Sequence, residues 1–229
     1  MEGINTRKRL EADLAELKRM VLRLGKMSEE AVVKAVWALK HQDAKVAQIV
    51  LDKDDDIDAL TGALDSACMH FTARYQPLGE DLRTVTSVMH MAVDLERIGD
   101  YGGNIAKVAI ALADTELIKP LIDIPRMVEV LSVMMDRTLF AFDIGDEDAA
   151  REIFAKDDEL DDLEKQIMRE LLILMMEDPK RIEQASQLLN VARTLERAGD
   201  HMTNVADRVL YILTGKTVKA SEFRRPKER

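Results

Sequence analysis

The sequence predicts an all-α protein made of two tandem, pseudo-symmetric three-helix bundles, six helices in total. Three observations carry that reading. The chain of 229 residues is 47% hydrophobic and 33% charged but only 4% aromatic, with thirteen Met and five Pro, a balance that suits packed amphipathic helices. Apolar residues recur at three- and four-residue intervals over long stretches. A twelve-residue segment occurs twice, with its copies 100 residues apart: Leu95-Glu96-Arg97-Ile98-Gly99-Asp100-Tyr101-Gly102-Gly103-Asn104-Ile105-Ala106 and Leu195-Glu196-Arg197-Ala198-Gly199-Asp200-His201-Met202-Thr203-Asn204-Val205-Ala206.

The first helix runs to about His41 from a cap at Asn5 or Thr6, with Leu10, Leu14, Leu17, Val21 and Leu24 in helical register. Asp43 caps a second helix that reaches Tyr75, where Gln76-Pro77-Leu78-Gly79 breaks the chain. A third helix, from about Glu80 to Ala113, carries the first copy of the repeated segment. Pro120 and Pro125 bracket a linker, and Pro125 suits the first position of a fourth helix ending at Ile144. Gly145-Asp146 stops one helix and caps the fifth, which ends near Glu177. Asp178-Pro179 opens the sixth, which carries the second copy and stops at Gly215. The resulting units are 1–115, 116–215 and a basic tail, 216–229.

Composition narrows the function. A net charge of −10 argues against general binding to nucleic acid or anionic membrane and favours cations or basic surfaces. A single cysteine, Cys68, excludes an intramolecular disulfide and is read as a small core residue in a reducing cytoplasm. The charged start has no apolar signal segment, and runs such as Leu171–Met176 are too short to span a bilayer.

Within each copy the polar residues stand at i, i+4 and i+8: Glu96, Asp100, Asn104 and Glu196, Asp200, Asn204. Each step of four returns to the same helix face, so each copy projects two carboxylates and an amide along one stripe. Like charges at this spacing repel by a few tenths of a kcal/mol, and a helical glycine costs about 1 kcal/mol against alanine. A bound hard cation would compensate, because carboxylate and amide oxygens are its preferred ligands; the bland alternative is a solvated acidic face with glycines that admit close packing. At about 100° per residue, Leu95, Ile98, Gly102, Ile105 and Ala109 fall opposite the first stripe, and Leu195, Met202, Val205 and Val209 opposite the second. The carboxylates should therefore face solvent or a shallow groove, with burial increasing toward the helix starts at Met89, Val93 and Leu189.

The second helix of each half has its own acid run. Lys53-Asp54-Asp55-Asp56-Ile57-Asp58 aligns with Lys156-Asp157-Asp158-Glu159-Leu160-Asp161, giving the i,i+4 pairs Asp54/Asp58 and Asp157/Asp161. Antiparallel neighbours would bring these rows face to face with the repeated stripes. The chain lacks Glu-x-x-His, His-Glu-x-x-His, a Walker loop, Gly-x-Gly-x-x-Gly and Gly-x-Ser-x-Gly. His201 adjoins Asp200 but points about 100° away, a surface or outer-sphere position.

The paired Leu-Glu-Arg-x-Gly-Asp-x-x-x-Asn segments, the acid-rich second helices and the two halves resemble the PhoU family of bacterial phosphate-uptake regulators, over residues 5–215. The resemblance implies two three-helix bundles placed end to end and metal clusters held by Asp54, Asp58, Glu96 and Asp100 in the first half and Asp157, Asp161, Glu196 and Asp200 in the second. Asn104 and Asn204 would extend the stripes. Iron and zinc are the foremost metals, with manganese or magnesium as alternatives. It also implies a non-enzymatic, cytoplasmic homodimer that restrains phosphate uptake and the phosphate-starvation response through the ATPase of the phosphate ABC transporter and its sensor histidine kinase. Membrane association would then come only through partners. Arg97 and Arg197 are partner-contact candidates, since a guanidinium forks onto carboxylates, or else local ion-pair partners. Two other readings stay open: a metal-dependent hydrolase or oxidase, which needs no protein nucleophile, and a purely structural scaffold.

Overall fold

The structure, a computed structural model, describes residues 2–217, with side chains from Arg7 onward. Among these residues there is no strand. The helices are α1 (Glu2–His41), α2 (Ala44–Asp52), α3 (Asp54–Tyr75), α4 (Gly79–Ala111), α5 (Asp123–Ile144), α6 (Glu147–Glu177) and α7 (Ile182–Thr214), with a 3₁₀ turn at Pro179–Arg181 between the last two. The six rods of the expected plan are present, the second interrupted at Lys53. α1 already runs from Glu2, ahead of the expected cap. Most of the basic tail, residues 218–229, lies outside the described residues.

The boundaries follow local chemistry. Gln42 takes a left-handed φ of 54°, and Asp43 Oδ1 then accepts from the Lys45 and Val46 N–H groups at 3.0 and 3.1 Å to start α2. In the second half Gly145 is left-handed and Asp146 Oδ1 accepts from Ala149 N–H at 3.1 Å to start α6. The break at Lys53 was not foreseen. Asp54, Asp55 and Asp56 fill the first turn of α3, where carboxylates favour the positive end of the helix dipole, so the run opens a new helix rather than prolonging α2. The matching run from Lys156 stays inside α6, which is continuous. Pro125 falls at the third residue of α5, not the first; its missing N–H is tolerated there because the first four N–H groups of a helix lack intrahelical partners. Asp178 caps the 3₁₀ turn through Lys180 N–H at 3.0 Å, and α7 proper begins at Ile182.

The two halves do not sit end to end. α1 and α4 of the first half lie alongside α5 and α7 of the second, with α3 and α6 packed on the flanks. One continuous apolar core runs through both halves, from Leu17 and Leu24 through Leu95 and Ile98 to Met134, Leu195 and Met202. α4 and α7 are antiparallel: Arg83 lies against Gly215, Tyr101 against His201, and the chain beyond α4, at Glu116 and Ile118, against Gln184. The halves are therefore related by a pseudo-twofold across the helices, and the equivalent positions 101 and 201 meet at it. α4 also approaches α1 closely at Gly102, where an added Cβ would come within 2.8 Å of the Ala31 backbone. Only glycine lets α4 lie that close to α1. Within α4 the run Ile98–Gly103 is almost wholly buried, whereas Val93, upstream of the stripe, is 55% exposed, against the expected rise in burial in that direction.

A candidate metal centre on the repeated carboxylate rows

The apolar faces point as the helical spacing predicts: Leu95, Ile98, Ile105 and Ala109 are buried, as are Leu195, Met202, Val205 and Val209. The acidic rows lie off these faces. Glycine again sets the distance between helices. A Cβ on Gly99 would stand 2.8 Å from Ile57 Cδ1, and one on Gly199 would stand 2.5 Å from Leu160 Cδ1 and 3.0 Å from Asp157 Oδ1. Ile57 and Leu160 hold matching places in the two acid runs, so each half uses the same close contact to set its acid run against its repeated stripe.

In the first half the consequence is electrostatic. Burial pushes the Asp54 carboxyl above the usual carboxylate range, and the neighbouring charges of Asp100 and Asp58 push it further. Burial likewise raises Glu96, followed by repulsion from Asp58 and Asp100. Four carboxylates from α3 and α4 thus sense one another, and Lys107 and Arg97 only partly offset them. Desolvation and like charge act in the same direction on such a group.

In the second half one carboxylate of the acid run is buried. Asp157 is 2% exposed, under the Gly199 contact. Its counterpart Asp54, at the first residue of α3, is only half-buried. Asp161 and Glu196 are half-buried and Asp200 is exposed. Asp161 has Lys165 at 3.9 Å. Asn104 and Asn204 are both exposed.

The donor set is oxygen throughout, from carboxylates on adjoining helices whose ionised forms repel. That chemistry fits a divalent or trivalent cation. As placed, the rows form no finished cage: among the described residues no three His, Cys, Asp or Glu side chains stand together as a ready metal site.

Arg97 pairs with Asp100 at 3.1 Å, the local ion pair. Arg197 lies over the ring of Tyr101, 5.0 Å from its centroid, across the seam between the halves. His201 is part-buried at the seam between the halves. Its Nδ1 is 2.7 Å from Asp94 Oδ1 and its Nε2 is 3.1 Å from the Tyr101 hydroxyl. Asn204 Nδ2 donates to the same Asp94 oxygen at 3.3 Å. Asp94 escaped the sequence reading because the repeat has Thr194 in its place; the one usable signal was its seven-residue spacing from Tyr101, which puts both on one face of α4.

Cys68 is a buried core residue, as expected, and burial pushes its thiol up to about 12. Two surface grooves, of about 650 Å³ between α5 and α6 and about 800 Å³ between α1 and α3, include none of the eight carboxylates. No helix among the described residues is long and apolar enough to cross a membrane.

Fold and site together define an all-α protein built from a duplicated helical unit, each copy bearing facing carboxylate rows. The family model for the PhoU domain matches twice, at residues 21–109 and 124–209. The chain belongs to the PhoU family. It is 35% identical over 218 residues to a phosphate-specific transport system accessory protein PhoU homolog of Clostridium acetobutylicum, covering 95% of this chain and 100% of that protein. Against the Aquifex aeolicus homolog it is 36% identical over 207 residues, covering 90% and 94%. The crystal structure of PhoU from Pseudomonas aeruginosa superposes with a TM-score of 0.86 at 34% identity, over 90% of this chain and 99% of that one. The phosphate transport system regulatory protein PhoU from Streptococcus pneumoniae gives 0.84 at 30% identity, over 92% and 99%.

Proposed function

We propose that this protein is a cytoplasmic, metal-binding, non-enzymatic regulator of phosphate uptake that holds the phosphate-starvation response off when phosphate is plentiful. Its relatives are named as phosphate-specific transport accessory proteins. The observation that carries the metal part is the mutual repulsion of Asp54, Asp58, Glu96 and Asp100 across α3 and α4. A cation held there, and by Asp157, Asp161, Glu196 and Asp200 in the second half, would supply charge neutralisation and cross-link each acid run to its stripe. The chain's own residues do the rest. Gly99 and Gly199 set the helix spacing, and Arg97 and Arg197 present guanidinium groups beside the rows, suited to a partner's carboxylates. The partners in this reading are the transporter ATPase and the phosphate-sensing histidine kinase, met by a homodimer with iron or zinc bound.

The test is a variant with Asp58, Asp100, Asp161 and Asp200 changed to Asn and Glu96 and Glu196 changed to Gln. None of the six carboxylates is fully buried, so it should remain helical. In a strain lacking its own regulator it should fail to repress a phosphate-starvation promoter under high phosphate, at matched protein level. Full repression by the folded variant would separate these carboxylates from signalling.

A further inference from the structure

The Tyr101–His201–Asp94 chain stands where the pseudo-twofold crosses the seam between α4 and α7. The tautomer of His201 follows from its partners. Asp94 can only accept when ionised, so Nδ1 carries the proton, and a neutral ring leaves Nε2 to accept from the Tyr101 hydroxyl. Tyr101 is 6% exposed, and the Asp94 and His201 side chains are 17% and 24% exposed. Arg197 covers the Tyr101 ring and Asn204 adds a second donor to Asp94. The chain is thus shielded, directional and made by both halves.

Its members share helical turns with the carboxylate rows. Asp94 precedes Glu96 by two residues and Tyr101 follows Asp100; His201 follows Asp200 and Asn204 lies one turn on. A helix moves as a unit, so drawing α4 toward α3, or α7 toward α6, stretches this single set of bonds. These part-buried hydrogen bonds weaken steeply as their geometry departs from ideal, so a shift of either helix is felt by the other.

We propose that Asp94, Tyr101 and His201 are positioning residues that couple the two carboxylate centres, so that a cation bound by one half changes the affinity of the other. This rests on the proposed metal reading.

The experiment is calorimetric titration of chelator-stripped protein with Zn²⁺. It uses the wild type, Glu196→Gln/Asp200→Asn, which leaves the first centre, and Glu96→Gln/Asp100→Asn, which leaves the second. Each is measured with and without Tyr101→Phe, a change that removes one hydroxyl and keeps the ring. The wild-type isotherm should depart from the sum of the two single-centre isotherms by about fivefold or more in the second binding step, the usual lower range for coupled sites. In the Tyr101→Phe background the sum should hold within about twofold. Asp94→Asn, of nearly unchanged size, serves as the second variant should Tyr101→Phe fail to fold. Additive wild-type binding overturns the coupling but leaves the metal centres standing. Non-additivity that survives both seam variants overturns the role of these residues. No Zn²⁺ uptake by the wild type overturns the metal reading and the coupling with it.

Discussion

At the residue scale, Asp54 and Glu96 tie the site to stability. Their carboxyls titrate above their ordinary range in the folded chain, chiefly through burial. The folded form therefore holds those protons more tightly than the unfolded form does. The stability they contribute is present below the unfolded value, about 4, and is lost as pH rises through the raised folded values. Without metal, Glu96→Gln removes this loss. The melting temperature of the chelated variant should gain on that of the chelated wild type as pH goes from about 4 to about 7; a constant difference would contradict the assignment. Glycine positions offer a second test at this scale. An alanine at Gly102 meets the Ala31 backbone at 2.8 Å, whereas at Gly62 it meets nothing within 4 Å. Gly102→Ala should cost about 1–3 kcal/mol through overpacking, and Gly62→Ala, inside α3, should stabilise by about 0.5–1 kcal/mol. Urea denaturation of both reads the contrast, and equal effects would refute the close α1–α4 approach.

At the element scale, the duplication makes matched predictions. Asp43 and Asp146 cap corresponding helices through backbone N–H groups at 3.0–3.1 Å. Asp43→Ala and Asp146→Ala should each cost about 1 kcal/mol, measured by the same denaturation; a negligible loss in either would show that cap to be dispensable. Most of the elements were legible because their signals are local. Capping aspartates, Pro after Asp178, glycine stops and the i,i+4 acid pairs all act within one or two turns. What was not legible depends on context beyond the turn. The chain pauses at Lys53 but not at Lys156, although both precede acid runs, so the run alone does not decide the break. Asp157 is buried, which the alignment of the two acid runs did not distinguish from half-buried Asp54. His201 was correctly set off from Asp200 by its phase, but phase does not say which helix faces it. Asp94 had no counterpart in the repeat, so internal comparison passed over it. The end-to-end placement implied by the resemblance also gave way, because α1 and α4 pack alongside α5 and α7, and an apolar stripe shows that a helix is covered, not which half covers it.

At the scale of the whole molecule, the side-by-side packing gathers the four central helices α1, α4, α5 and α7 into one bundle shared by both halves, with the acid runs of α3 and α6 on its flanks. Anything that binds the folded chain and not the unfolded one stabilises it by mass action, so the carboxylate centres can be interrogated through global unfolding. The most direct measurement is the melting temperature of the intact protein after chelation and after return of Mn²⁺, Fe²⁺ or Zn²⁺, alongside Glu96→Gln/Asp100→Asn. The account predicts a lower melting temperature on chelation, recovery with metal, and a much smaller response in the double variant. A melting temperature indifferent to chelator, metal and variant alike would contradict it and leave the rows as a solvated acidic face.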